Sequence, residues 1–189
     1  MRILPFLQRF ALLVSGVIGC GGSGSAARPG ASPQNFPPYA GQATTLFDDR
    51  IDANAVGLAD VASKPRSDPA LRARAQTAEA VGRVRVATVS VDSAGGRPTY
   101  HLTLQMVGSV VRRGLEDDHV EISVRSDSPA FGVVKWLDTR LIGKTFIGFF
   151  HRYAGTEEAQ LRFHLSADDA EVLGAVREAA VLSEVSGKK

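Results

Sequence analysis

Cysteine is almost absent from this chain, which has one, Cys20, among its 189 residues. With one thiol no disulfide can form within the chain, so a packed core must hold the fold together. Hydrophobic residues make up 44% of the sequence, which leaves room for one domain after a leader and a linker are subtracted.

Long apolar runs are also lacking, and the one at the N-terminus is too short to span a bilayer. Residues 10–18 form a mostly apolar run of nine residues, preceded by Arg2 and Arg9 and followed by small residues. As a helix it would rise about 14 Å against a hydrocarbon core of about 30 Å. This order is typical of a secretory signal, so we expect residues 1–19 to be an export signal.

The signal closes on Val17-Ile18-Gly19-Cys20, which resembles the lipobox of bacterial lipoproteins. The resemblance implies that Cys20 receives a diacylglyceryl group, that the signal is removed, and that acyl chains hold the protein on a membrane at about 0.8 kcal/mol per buried CH₂. Gly21 is not the Asp that retains enteric lipoproteins in the inner membrane, which favours the outer membrane. The alternative is an ordinary signal peptide with a chance cysteine near its end.

An excess of either charge is missing too. The chain has 22 Lys and Arg against 20 Asp and Glu, and loss of Arg2 and Arg9 with the signal leaves 20 against 20. A chain without an excess of positive charge has little electrostatic attraction for nucleic acid, so we expect no nucleic-acid partner.

The region before the strands divides into two segments. Residues 20–41 are rich in Gly, Ser and Pro and predict a flexible tether from the lipidated cysteine. Residues 42–79 show no sustained periodicity and predict an irregular segment against the domain, with a short helix that Asp68 caps and Pro69 begins.

Residues 80–185 predict five strands and a closing helix. Apolar and polar residues alternate in 83–86 and again in 89–91, but Val86 and Val89 are three positions apart, so the two alternations are out of phase. This predicts a bulge near Ala87 and Thr88 that places the valines of both stretches in the interior. Residues 144–153 are apolar on both faces, and we expect both faces to be covered. The predicted strands lie within 83–91, 100–106, 120–124, 144–153 and 160–165, with a short helical link at 128–137. Ser166 to Asp169 predicts a capping box before the last helix.

Three strands, a helical link and two strands are the order of an OB-fold, so we expect a mainly β fold, a five-stranded OB-like antiparallel barrel with a C-terminal helix. Residues 80–84, 100–104 and 141–146 resemble the netrin-like branch that includes tissue inhibitors of metalloproteases. Those inhibitors use a disulfide-bonded N-terminal cysteine. Cys20 is predicted to be lipidated and has no partner, so the resemblance implies the fold without the inhibitory activity.

Candidate chemistry rests on His101, His151 and His164, which fall on three predicted strands, and the alternation of the fifth strand predicts that His164 points outward. With Asp168 or Asp169 they could converge into a metal site. The alternative is that they are half-exposed strand positions, and the absence of a His-x-His or His-x-x-x-His spacing favours it. We expect Trp136 and the phenylalanines of the fourth strand to belong to the core, and we predict no cofactor.

These observations favour a non-enzymatic, membrane-anchored lipoprotein that binds a protein, peptide or glycan partner at the cell envelope. A solute-binding lipoprotein that serves a transporter is a second hypothesis, although a two-lobed cleft usually needs a longer chain. A small envelope metallohydrolase built on the three histidines is a third.

Overall fold

The computed structural model describes residues 36–59, 64–93, 96–112, 114–115, 118–156 and 158–186. The predicted signal, Cys20 and most of the predicted tether lie outside these residues. Within them the helices are α1 (Ala43–Leu46), α2 (Pro69–Thr77), α3 (Phe131–Leu137) and α4 (Ala170–Ser186). The strands are β1 (Arg50–Ile51), β2 (Ala80–Asp92), β3 (Thr99–Arg112), β4 (His119–Val124), β5 (Thr145–Tyr153) and β6 (Gln160–Ala167). Short 3-10 helices cover Ala53–Val56, Pro65–Ser67 and Asp138–Leu141.

The strands form one six-stranded sheet in the order β1-β6-β5-β2-β3-β4. Neighbours are antiparallel except β1 and β6, which are parallel. The predicted bulge is confirmed, because the register between β2 and β3 shifts between Val86 and Thr88. It returns Val89 only partly to the core and leaves Val91 exposed, so the prediction for Val91 was wrong.

The sheet is not closed into a barrel, so the five-stranded OB barrel is not confirmed. The outer edge of β6 is occupied in part by β1, where Arg50 pairs with His164 and Ile51 with Leu165. β4 and β6 instead line a groove of about 220 Å³ that contains Glu121, Arg125 and Arg162. The fold is therefore a β-rich mixed α/β sheet with a C-terminal helix.

Both faces of the sheet are covered, as the apolar pattern of β5 predicts. Phe146 and Phe150 belong to a core that also contains α3, whereas Ile147 and Phe149 belong to a second core beneath α2 and α4. All four side chains are fully buried. Burying one such side chain contributes roughly 1.5–3 kcal/mol, so β5 is the central element of the fold.

Two helices begin at aspartates that face the same side of the molecule. Asp68 accepts a hydrogen bond from the Ala70 N–H at 2.8 Å, so the predicted cap of α2 is confirmed. At α4 the cap is Asp169, which accepts from the Val172 N–H at 2.7 Å. The capping box predicted to start at Ser166 was wrong, because that hydroxyl donates to Asp52 instead.

The structure also corrects one aromatic residue. Trp136 was predicted to be core, but it is 56% exposed on α3, with the Arg140 guanidinium 4.6 Å from the centre of its ring. α3 turns Val134 and Leu137 toward the sheet. Lys135 and Trp136, which lie between them, therefore face solvent, as the helical period requires.

Candidate functional site

The three histidines predicted as metal candidates have different surroundings. His101 is exposed on β3, with Nδ1 3.2 Å from the Ser123 hydroxyl. His151 on β5 has Nδ1 2.8 Å from the Arg152 carbonyl oxygen, and its ring stacks on Tyr153 with centroids 4.5 Å apart. His164 on β6 is only 2% exposed, so its predicted outward position was wrong.

No group of three or more His, Cys, Asp or Glu side chains is placed to hold a metal ion within the described ranges. Asp168, a candidate fourth ligand, pairs with Arg83 at 2.7 Å. Asp169 caps α4. We therefore base no proposal on a metal site.

His164 lies between two carboxylates contributed by the segment before α2. Its Nδ1 is 2.8 Å from Asp48 Oδ1, and a carboxylate only accepts, so this nitrogen carries the proton. Its Nε2 is 3.2 Å from Asp52 Oδ1 but lacks the alignment of a hydrogen bond. The parallel pairing of β1 with β6 brings these residues together, since it places Arg50 opposite His164.

Both carboxylates are held ionised by their neighbours. Burial acts to raise the pKa of Asp48, but the hydrogen bond and charge of His164, with Arg50 and Arg74, outweigh it and lower that pKa. Burial likewise acts to raise the pKa of Asp52, and His164 together with the Ser166 hydroxyl lowers it. Asp48, Asp52, His164 and Ser166 thus form a polar network in which His164 and Ser166 are buried and the two carboxylates are half-buried. We call it the His164 cluster.

The His164 cluster does not have the connections of a serine nucleophile and its base. Such a pair needs the hydroxyl within hydrogen-bond reach of the imidazole. Here the Ser166 hydroxyl donates to Asp52 Oδ2 at 2.8 Å, and His164 is sealed from solvent. The cluster therefore links β6 to the N-terminal segment rather than offering a reacting group.

Beside it, Asp49 fastens the same segment to β6 and to the loop before α3. Its carboxylate pairs with Arg162 and accepts from the Phe163 N–H, and its carbonyl accepts from the Ser128 hydroxyl at 2.9 Å. Burial raises the pKa of Asp49, and Arg162 only partly opposes the shift. Its φ of +50° is rarely adopted by a residue with a side chain, and these bonds hold it there.

An open cleft of about 490 Å³ lies beside the His164 cluster, which forms part of its wall. Asp68 and Asp169, the caps of α2 and α4, both line it. The other lining side chains that can carry charge are Asp52, Lys64 and Arg74. The remaining lining residues are Asn54, Ala59, Pro65, Ala70, Leu71, Ser166, Ala167 and Val172. Its volume is within the range of about 300–1,000 Å³ that small-molecule sites occupy.

Arg74 is the cation held most firmly in the cleft. Its Nε donates to the Leu46 carbonyl oxygen at 2.7 Å, which fixes the guanidinium against α1. Burial lowers the pKa of Arg74, and Asp48, Asp52 and Asp68 oppose that shift. Its terminal nitrogens have no hydrogen bond or ion pair with any described residue and remain available to a ligand.

Sequence reasoning did not find this cleft. Asp68 was identified only as a helix cap, and Arg74 and Lys64 carried no motif. The run Asp48-Asp49-Arg50-Ile51-Asp52 was the available signal, because three carboxylates beside a buried isoleucine need partners somewhere in the fold. Which partners they find depends on a pairing more than a hundred positions away.

Comparisons with known protein families, with curated proteins and with solved structures give no match for this chain. Across the described residues no helix combines the length and the apolar character needed to cross a membrane.

Proposed function

We propose that this chain is an exported lipoprotein, anchored through Cys20, whose folded part acts as a non-catalytic binding module at the bacterial cell envelope. The observation that carries the proposal is the sequence Val17-Ile18-Gly19-Cys20, which closes a signal-like segment on the chain's single cysteine. The outer membrane is the proposed location, and the proposed partner is an envelope protein, peptide or glycan.

The arrangement of the chain supports this proposal. The Gly/Ser/Pro-rich stretch separates Cys20 from α1, which begins at Ala43, so the domain would have slack above a membrane surface. The ionic networks around His164 and Asp49 are engaged in joining elements, which supports a module that binds rather than reacts. Kinship of β2–β6 and α3 with OB-like domains is part of the proposal, on the basis of their order along the chain.

The anchor is tested by labelling cells with a fatty-acid analogue and comparing the natural chain with Cys20→Ala. The natural chain should carry label, lack residues 1–19 and fractionate with membranes, and the variant should carry none. Ser25→Ala, in the same linker, is the matched control and should be labelled like the natural chain. Equal labelling of Cys20→Ala, or an unlabelled natural chain that keeps its first nineteen residues, would remove the proposal.

A second candidate, a solute-binding lipoprotein that serves a transporter, is favoured by the cleft beside α2 and α4. The cleft is large enough for a small molecule and offers charged groups of both signs.

A further inference from the structure

We propose that the cleft beside α2 and α4 binds a small zwitterion of the α-amino-acid class, its carboxylate on Arg74 and Lys64 and its ammonium on Asp68 and Asp169. The inference rests on the solute-binding candidate and names its ligand class. It does not depend on lipidation of Cys20.

The carboxylate end is assigned from Arg74. Its Nε donates to the Leu46 carbonyl oxygen, and this hydrogen bond restricts the orientation of the guanidinium and its two terminal nitrogens. A guanidinium fork matches a carboxylate in two parallel hydrogen bonds. Lys64, exposed on the rim of the same cleft, supplies a second positive charge.

The ammonium end is assigned from the two helix caps. Asp68 and Asp169 each use Oδ1 to accept a backbone N–H of their own helix. Oδ2 of each carboxylate has no partner among the described residues. An ammonium group has three donors and can bridge such oxygens.

The mixture of charges selects a zwitterion over a simple ion. Asp52, Asp68 and Asp169 face the cleft with Lys64 and Arg74. Asp52 is already engaged by Ser166 and His164, which leaves Asp68 and Asp169 beside Lys64 and Arg74 among the described lining residues. A ligand of one sign would desolvate the opposite groups without pairing them, and that is costly.

The apolar part of the wall favours an aliphatic side chain. Leu71 from α2, Val172 from α4 and Pro65 line the cleft between the charged groups. A side chain placed there would leave water and gain roughly 25 cal/mol per Å² of apolar surface buried.

The test is calorimetric titration of the full-length protein, in detergent, with three probes: L-leucine, L-leucinamide and N-acetyl-L-leucine. The amide lacks the carboxylate charge and the acetyl compound lacks the ammonium. We expect L-leucine to bind, and each analogue to bind at least about tenfold more weakly, since a hydrogen bond to a charged group is worth about 1.5–3 kcal/mol.

Two variants identify the groups without disturbing the fold. Lys64→Gln removes an exposed charge, and Asp68→Asn removes a carboxylate while keeping a side chain that caps helices equally well. Each substitution should weaken the binding of L-leucine by about fivefold or more while the melting temperature is unchanged. Lys135→Gln, an exposed lysine of α3 that does not line the cleft, is the matched control and should bind normally.

No heat from L-leucine at millimolar concentration would overturn the inference, as would an analogue that binds equally tightly. Normal binding by both Lys64→Gln and Asp68→Asn would also overturn it. The same titration with Cys20→Ala separates the two proposals. In Cys20→Ala, unchanged binding is expected if the ligand does not depend on the anchor. A natural chain that binds L-leucine but carries no fatty-acid label would refute the anchor and keep the ligand, and a labelled natural chain that does not bind would do the reverse.

Discussion

At residue scale, His164 couples the N-terminal segment of the domain to β6. A buried imidazole with a carboxylate near each ring nitrogen is stable only while both carboxylates stay in place. An asparagine at position 48 would keep an accepting oxygen but lose the charge, and a hydrogen bond to a charged group contributes roughly 1.5–3 kcal/mol against about 1 kcal/mol for a neutral one.

Asp48→Asn should therefore lower the free energy of unfolding by about 1–3 kcal/mol, because His164 Nδ1 loses its charged acceptor. Urea denaturation followed by circular dichroism measures the change. Asp127→Asn is the control. Asp127 is 79% exposed and 3.7 Å from Arg125, so its loss should cost less than about 0.5 kcal/mol. Equal effects of the two substitutions would contradict a structural role for the His164 cluster.

The same cluster predicts a particular sensitivity to acid. The pKa values of Asp48 and Asp52 are lowered in the fold, so their stabilisation is fully present above the ordinary value of 3.8 and is lost as pH falls through the lowered values. Asp49, whose pKa is raised by burial, contributes in the opposite sense, because its ionised form is disfavoured in the fold.

Below about pH 4 the urea midpoint should therefore fall with pH, and it should fall less steeply in Asp48→Asn, which has one lowered carboxyl fewer. The measurement is a set of urea titrations between about pH 2.5 and 7. Parallel curves for the natural chain and the variant would show that Asp48 does not titrate differently in the folded state.

At the scale of elements, the sequence predicted the helix start and the strands that depend on neighbouring residues alone. Asp68 with Pro69 specified the start of α2, and alternation of apolar and polar residues specified β4. The apolar residues on both faces of β5 specified that both faces are covered. At α4 the pattern was ambiguous, because Ser166 and Asp169 are both good caps and the choice depends on Asp52, which engages the serine. The inward-outward rule failed for His164 because helices cover the face it points to.

Asp68→Ala should destabilise the domain by about 0.5–2 kcal/mol, since the Ala70 N–H would lose its acceptor. Asp68→Asn should leave the stability unchanged, because an amide oxygen caps a helix as well as a carboxylate does. Thermal denaturation of the two variants side by side is the measurement. Similar losses in both would mean that the charge of Asp68, rather than its cap, supports the helix.

Gly148 in β5 lies where neighbouring side chains leave no space for a Cβ atom. A Cβ there would lie 2.6 Å from Phe150 Cε2 and 3.2 Å from Val84 Cγ2, both fully buried side chains. Gly148→Ala should therefore cost about 1–3 kcal/mol by overpacking. Gly132→Ala in α3, where nothing lies within 4 Å of the added carbon, should instead be neutral or stabilise by up to about 1 kcal/mol. Urea midpoints that rank the two variants in the reverse order would contradict this account.

At the scale of the whole molecule, the number and order of the main strands followed from the sequence, and the edge of the sheet did not. β1 is two residues long, too short to show any period, and its partner in β6 is far away in sequence. Barrel closure was predicted because five strands in this order usually close. Here β1 takes part of the edge of β6, and β4 is not paired with β6.

The pairing of β1 with β6 also sets when the molecule can be completed. Asp48 is synthesised before His164, its partner 116 positions later in the chain, and cannot form this hydrogen bond until His164 is present. While the chain emerges from the ribosome or a translocation pore, the first edge strand has nothing to join, and contacts of such high sequence separation form slowly. A chain interrupted before β6 would leave the side chains of Asp48, Asp49 and Asp52 without their partners in that strand, and would expose the N-terminal segment to proteases.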